Sequence, residues 1–357
     1  MSIEQHPGGP PEPPASAEES SRQEVQQWRE LRAQRLAQLR PESWADYRAR
    51  YLIPTISFLA VVAVIVIGGA TTPGFLSQTN MLSIIRIAAL TGIMGLGMTF
   101  ITMSGSFFSL SSAQTGALCS ISFAAMITWG WGWPASLIVT LLIAAAVGAV
   151  QGAFVAAGAN PVVITIAAAA AIIGVPAILT DSRAIIIDTT EAHVIGRSTG
   201  FGVPIQTWTF IALIVIAQFV LVRTRFGRAV TLAGANREAA KAAGLPIARI
   251  EVWTFTLASI TAGIAGIFVA AQSNRGLITN LEATTLEVIA AVLIGGTAIQ
   301  GGEGSMIRTA FGAMFIVAIN SLLVLRGYSP AIRTLVEGLA VVAGVSLFWL
   351  ARGGAKR

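Results

Sequence analysis

The sequence predicts an all-α polytopic membrane protein of about ten transmembrane helices. Of its 357 residues, 54% are hydrophobic and 11% charged, and the mean hydropathy is +0.74. Soluble domains carry about 25% charged residues. The apolar residues gather into runs, each long enough to cross roughly 30 Å of hydrocarbon at about 1.5 Å per residue. The chain also holds 36 glycines, which suit close helix packing in lipid, where small residues let backbones approach.

Taken in order, residues 1–21 are rich in Pro, Glu, Ser and Gly and read as a disordered cytoplasmic tail. No apolar stretch marks them as a cleaved signal peptide. Over 22–50 the character changes: Val25, Trp28, Leu31, Leu36 and Leu39 fall near one helical face with arginines between them, and Pro41 stops the run. This segment fits an amphipathic helix on the anionic inner leaflet, or a solvated helical extension. A membrane domain over 51–351 follows, with spans expected near 52–70, 81–103, 107–129, 133–157, 161–180, 207–223, 251–272, 281–300, 306–325 and 332–350. The Ser-rich start of the third suggests a re-entrant or broken helix. Pro176, the Gly92, Gly95 and Gly97 series, and Gly295-Gly296 read as interruptions at membrane depth, which only protein or a watered cavity can satisfy.

Charge sets the orientation. With ten spans and an inside N-terminus, and with span-edge residues such as Arg223 and Arg308 counted with their nearest loop, the tail, the 224–250 loop, the 301–305 turn and the 352–357 terminus carry seventeen of the 23 Lys and Arg residues. Cytoplasmic segments hold such an excess, so both termini are expected in the cytoplasm. The same rule accounts for the net charge of +6 without nucleic acid. A single Cys119 excludes an internal disulfide, and His6 and His193 lie too far from other ligand types to suggest a metal site. Neither a phosphate-binding Gly-x-x-x-x-Gly-Lys-Ser/Thr stretch nor a His-Glu-x-x-His motif occurs, so the chain is not expected to be an enzyme.

The stretch most informative about function is Gly234 to Arg249, a basic, helix-forming island between long apolar runs. Asn236 can cap a short helix, Arg237 to Ala243 propagate it, Gly244 ends it and Pro246 blocks continuation. Small alanines would let it sit in a groove of another protein, with Arg237, Glu238, Lys241 and Arg249 as polar anchors. From these residues alone, an ordinary basic loop fits equally well.

That loop, Gly-Ala-Asn-Arg-Glu-Ala-Ala-Lys-Ala-Ala-Gly over 234–244, resembles the Gly-Gly-Asn-x-x-Ala-Ala-x-x-x-Gly loop of permease subunits in ribose-type, simple-sugar ABC importers. Residues 262–266 (Ala-Gly-Ile-Ala-Gly) are similar to that family's next span. The stretch 290–305 resembles its Gly-Gly-Thr-x-x-x-Gly-Gly-x-Gly-Ser block, and Gly95 to Thr99 its second span. The resemblance implies a ribose-type permease fold paired with a second permease subunit, as homodimer or heterodimer. It further implies a cytoplasmic ATPase docked on Asn236, Arg237, Glu238, Ala239, Ala240, Lys241 and Gly244. A periplasmic solute-binding protein would deliver a monosaccharide or related polyol. This chain would bind no cofactor; ATP and Mg would belong to the ATPase. An amino-acid or nucleoside permease, or an ion-coupled carrier, are the competing functions.

One departure bears on the solute. The family's Gly-Gly-x-Asp-Leu-Ser-x-Gly-Ser is replaced by Ser104 to Ser112, which lacks the acid and gains Phe107 and Phe108. Those rings could stack on a solute or pack against a helix, while Ser106, Ser109 and Ser111 offer hydroxyls. With Thr99, Thr297 and Asn320 they form the candidate translocation set. Arg86 and Arg308 sit where they can snorkel. Glu287 and Glu337 lie deeper, where an unpaired charge costs about 2.5–3.5 kcal/mol, and call for partners on other helices.

Overall fold

The computed structural model describes residues 53–188, 193–196, 199–200, 202–281 and 284–351. The expected tail, the 22–50 helix and the 352–357 terminus lie outside the described residues. The architecture is almost wholly helical: α1 (Ile53–Thr71), α2 (Gln78–Met103), α3 (Ser112–Thr128), α4 (Trp133–Ala156), α5 (Pro161–Thr180), the single turn α6 (His193–Gly196), α7 (Ile205–Arg223), α8 (Arg225–Ala235), α9 (Arg237–Ala242), α10 (Ile247–Ser273), α11 (Thr284–Ile294), α12 (Met306–Leu325) and α13 (Pro330–Ala351). Among the described residues, six helices are long and apolar enough to cross a membrane: α2, α4, α5 over Pro161–Ile178, α7, α10 and α12.

Helix α10 is the axle of the bundle, packed along its length by α2, α3 and α4. Glycines permit these approaches. A Cβ on Gly148 or Gly152 of α4 would meet the Phe255 carbonyl or the Val252 Cα of α10, at 2.6 Å in each case. The core joins α2, α3 and α10 around Ile93, Leu96, Phe123, Ile267 and Phe268. Polarity is distributed as lipid demands. Leu59, Val66, Val163, Ile178, Val215, Phe219, Leu335 and Val342 are exposed on the perimeter, whereas Thr99, Thr115, Ser120 and Thr309 are fully buried. An aqueous protein would invert that pattern.

At the end of the bundle reached by Ser273, about 40 Å from Ile247 along α10, two short ladders order the chain. β1 (Ile185–Ile186) pairs antiparallel with β4 (Arg275–Gly276), with Ile185 opposite Gly276. β2 (Thr199–Gly200) pairs with β3 (Val203–Pro204).

Several spans end where the sequence places them. α5 runs from Pro161 to Thr180 because the Asn160 side chain accepts from Val162 N at 2.9 Å and Asp181 turns left-handed (φ 49). Four expectations need correction. Pro176 does not interrupt α5: only the last turn follows it, and the Thr180 hydroxyl donates to the Pro176 carbonyl at 2.8 Å. Nor do Gly92, Gly95 and Gly97 break α2, which is continuous; Gly95 and Gly97 instead admit Thr309 and Ala258 from neighbouring helices. The expected span 281–300 is helical only over Thr284–Ile294. Eleven residues rise about 16 Å, roughly half the hydrocarbon thickness. Beyond it Gly296, Gly301 and Gly302 take positive φ and the chain continues as turns to Ser305. The third span is likewise shorter than expected, because Ser111 precedes the first helical residue and 105–111 is irregular.

Candidate functional site: a braced helix on a glycine joint

Helix α8 is amphipathic, burying Val230 and Ala233, and its Phe226 ring meets Phe100 of α2 at 6.2 Å between centroids. The chain then kinks at Asn236 (φ −157), which ends α8 and caps α9: its Oδ1 accepts from Ala239 N at 3.0 Å. Helix α9 closes through Gly244 N to the Lys241 carbonyl and Leu245 N to the Ala240 carbonyl, both at 3.0 Å, with Gly244 at φ +77. A left-handed residue at this point satisfies the last carbonyls and reverses the chain. Ala240 is the buried residue of α9; Glu238, Ala239, Lys241 and Gly244 are exposed.

Arg237, expected as a polar anchor, is engaged within the subunit. Its Nη1 lies 2.7 Å from Oε1 of Glu251, one turn into α10, and the Glu251 side chain is only 3% exposed. The other oxygen, Oε2, has no hydrogen-bond partner among the described residues. Glu251 is the functional candidate that sequence reasoning missed. Its signal was a lone carboxylate inside the first turns of an otherwise apolar helix, a pattern that demands a partner.

Beside α9, three segments meet mostly through backbone. The Gly302 N–H donates to the Met103 carbonyl at 3.0 Å, tying the 301–304 turn to the end of α2. Gly234, at the end of α8, is wedged between the same two atoms, so an added Cβ would overlap both. Gly105 and Gly301 complete the joint, the latter at φ +91. The loop carrying α9 is thus seated on the ends of α2 and of the α11–α12 connection.

The candidate translocation residues are not gathered into one lining. Ser109 and Ser111 are 3.1 Å apart, and Ser111 donates to Oε1 of Gln151 on α4 at 2.8 Å; all three are buried. Ser106 is buried with its hydroxyl unpartnered among the described residues, Phe107 is 54% exposed, and Phe108 packs against the core. Higher on α2, the Thr99 hydroxyl meets that of Thr309 at 2.8 Å, while Thr297 is buried near Gly304 with its oxygen unpartnered. Asn320 lies elsewhere again. Its Nδ2 donates to Glu287 Oε1 at 2.9 Å and its Oδ1 accepts from Arg333 at 3.2 Å, while Thr91 donates to Glu287 Oε2 at 3.4 Å. These bonds join α2, α11, α12 and α13 about 18 Å along α2 from Met103. They give Glu287 the interhelical partners its depth requires. Two apolar clefts, of about 590 and 560 Å³, flank α5 and contain none of the candidate set.

Comparison with known proteins matches residues 80–345 to the family described as branched-chain amino acid transport system / permease component. The chain is 27% identical over 308 residues to the ribose import permease protein RbsC of Haemophilus influenzae, covering 83% of this chain and 93% of the relative. It is 30% identical over 293 residues to RbsC of Bacillus subtilis, covering 81% and 91%. It is 29% identical over 297 residues to the L-arabinose transport system permease protein AraH of Escherichia coli, covering 80% and 88%. No solved structure matches the chain. A multi-pass membrane protein without a catalytic domain, matched to this family over most of its length, belongs to the permease-component family of branched-chain amino acid and ribose-type ABC importers, whose ATP is hydrolysed on a partner subunit.

Proposed function

We propose that this subunit, paired with a second permease, forms the inner-membrane path by which a monosaccharide or related polyol is imported. A periplasmic binding protein delivers the solute, a cytoplasmic ATPase supplies the work, and both termini lie in the cytoplasm. The observation that carries this reading is α9: a short helix presenting Glu238, Ala239 and Lys241 to solvent while its base is seated on the glycine joint. Closure of the ATPases would press on that helix, and a seat shared by α2, α8 and the α11–α12 connection would convert the stroke into a shift of the bundle between outward- and inward-facing states. Ten crossings follow if α1, α3, α11 with its turn, and α13 each traverse the bilayer beside the six long helices. The sugar class rests on the likeness to RbsC and AraH.

The test is reconstitution of the permease with its ATPase and binding protein in proteoliposomes. ATP-dependent accumulation of D-ribose or L-arabinose is expected, and the charge exchange Glu238→Lys with Lys241→Glu should release the ATPase during purification. Accumulation of a branched-chain amino acid instead would move the solute to another branch of the family. Uptake driven by an ion gradient with no ATPase present would overturn the importer reading.

A further inference from the structure

We infer that Arg237 and Glu251 act as a brace that makes α9 and α10 move as one piece, so that α10 follows the stroke delivered to α9. This rests on the docking role proposed for α9 and adds the positioning residues that transmit it. Between the two helices the chain passes through Gly244, whose left-handed backbone is a bend with no side chain to stiffen it. Ala240 is the buried residue of α9, and its methyl offers little leverage. Covalent connection alone would therefore let α9 swing about the bend. The ion pair closes the triangle: it joins the first residue of α9 to the second turn of α10 across the bend, at 2.7 Å. A swing of α9 must then either pull α10 along or strip a guanidinium from a buried carboxylate. The second course is costly, because a buried charge deprived of its partner keeps its desolvation penalty without compensation. With Oε2 of Glu251 already unpartnered, Arg237 is the counter-charge among the described residues. A rod of 27 residues, packed by α2, α3 and α4, is the element best placed to carry displacement across the membrane.

The test uses the full complex of permease, ATPase and binding protein. A cysteine replacing exposed Ser273, at the far end of α10, is labelled with a membrane-impermeant maleimide in nucleotide-free and vanadate-trapped complexes; native Cys119 is buried and contributes little background. The parent should show a nucleotide-dependent change in labelling rate. Arg237→Ala and Glu251→Gln should lose that change while the ATPase still co-purifies, and Arg237→Lys should restore part of it. Arg237→Gln, which keeps a donor of similar length without charge, serves if the alanine variant assembles poorly. A full change in Arg237→Ala or Arg237→Gln with the ATPase bound overturns the brace, as does a parent whose Ser273→Cys site ignores nucleotide. Failure of the docking reading shows separately, as ATPase binding that survives the Glu238 and Lys241 charge exchange.

Discussion

Gly234→Ala isolates the joint beneath α9. The new methyl carbon would sit 2.5 Å from the Gly302 nitrogen and closer still to the Met103 carbonyl oxygen. Both obstacles are backbone, so no rotamer change relieves the overlap, and α8 must lift away from the end of α2. Overpacking of this kind costs about 1–3 kcal/mol. The lift also breaks or stretches the 3.0 Å bond from Gly302 to Met103. An unmade buried bond adds about 1–3 kcal/mol. A total near 2–6 kcal/mol is a large share of a typical folding free energy. The matched control is Gly174→Ala in α5, where a Cβ meets nothing within 4 Å. Replacing a helix-interior glycine in open space should be neutral or stabilise by up to about 1 kcal/mol. Thermal unfolding in detergent, followed by tryptophan fluorescence, compares the two. The reasoning is refuted if Gly234→Ala melts with the parent, or if Gly174→Ala falls as far as Gly234→Ala does.

Asn320→Leu removes the bridge between Glu287 and Arg333 and should cost about 1–3 kcal/mol, the penalty of leaving buried polar groups unmatched; a lowered melting midpoint in detergent checks it, with Asn320→Gln recovering part of the loss. Phe107→Ser should leave that midpoint unchanged because the ring is 54% exposed, whereas Phe108→Ala should lower it by removing a side chain packed on the core; equal effects would contradict the assigned packing.

Much of the helical framework was legible because helix ends are written locally. The Asn160-Pro161 start of α5 and the Asn236 cap of α9 need only neighbours a few residues away. Bounds failed where hydropathy and conformation part company. Thr297, Ala298 and Ile299 continue the apolar run of α11, yet Gly295 and Gly296 have already taken the backbone out of the helix. Apolar content reports depth in the bilayer and leaves the fold of the backbone open. The partners of polar residues were illegible for a different reason. Glu251 and Arg237 are separated by a kink, a cap and a left-handed bend, and Ser111 meets Gln151 across another helix hairpin. Each lone polar residue announced that a partner was needed without saying which one. The glycines were misread in the same way: their spacing was visible, but only neighbouring helices show that Gly95 and Gly97 admit contact rather than break α2.

Where Gly105, Gly234 and Gly302 abut, backbone lies mostly against backbone, and the Gly302 N–H to Met103 carbonyl bond spans the seam. Such a contact resists squeezing, since backbone meets backbone at van der Waals range, yet resists separation only weakly. Force directed into the bundle would be passed on almost undiminished, while force directed outward would open a gap and dissipate. Under the docking role proposed for α9, this seam would be one-sided, like a pushrod rather than a cable, and the return stroke would draw its restoring force from other contacts, the Arg237–Glu251 pair among them.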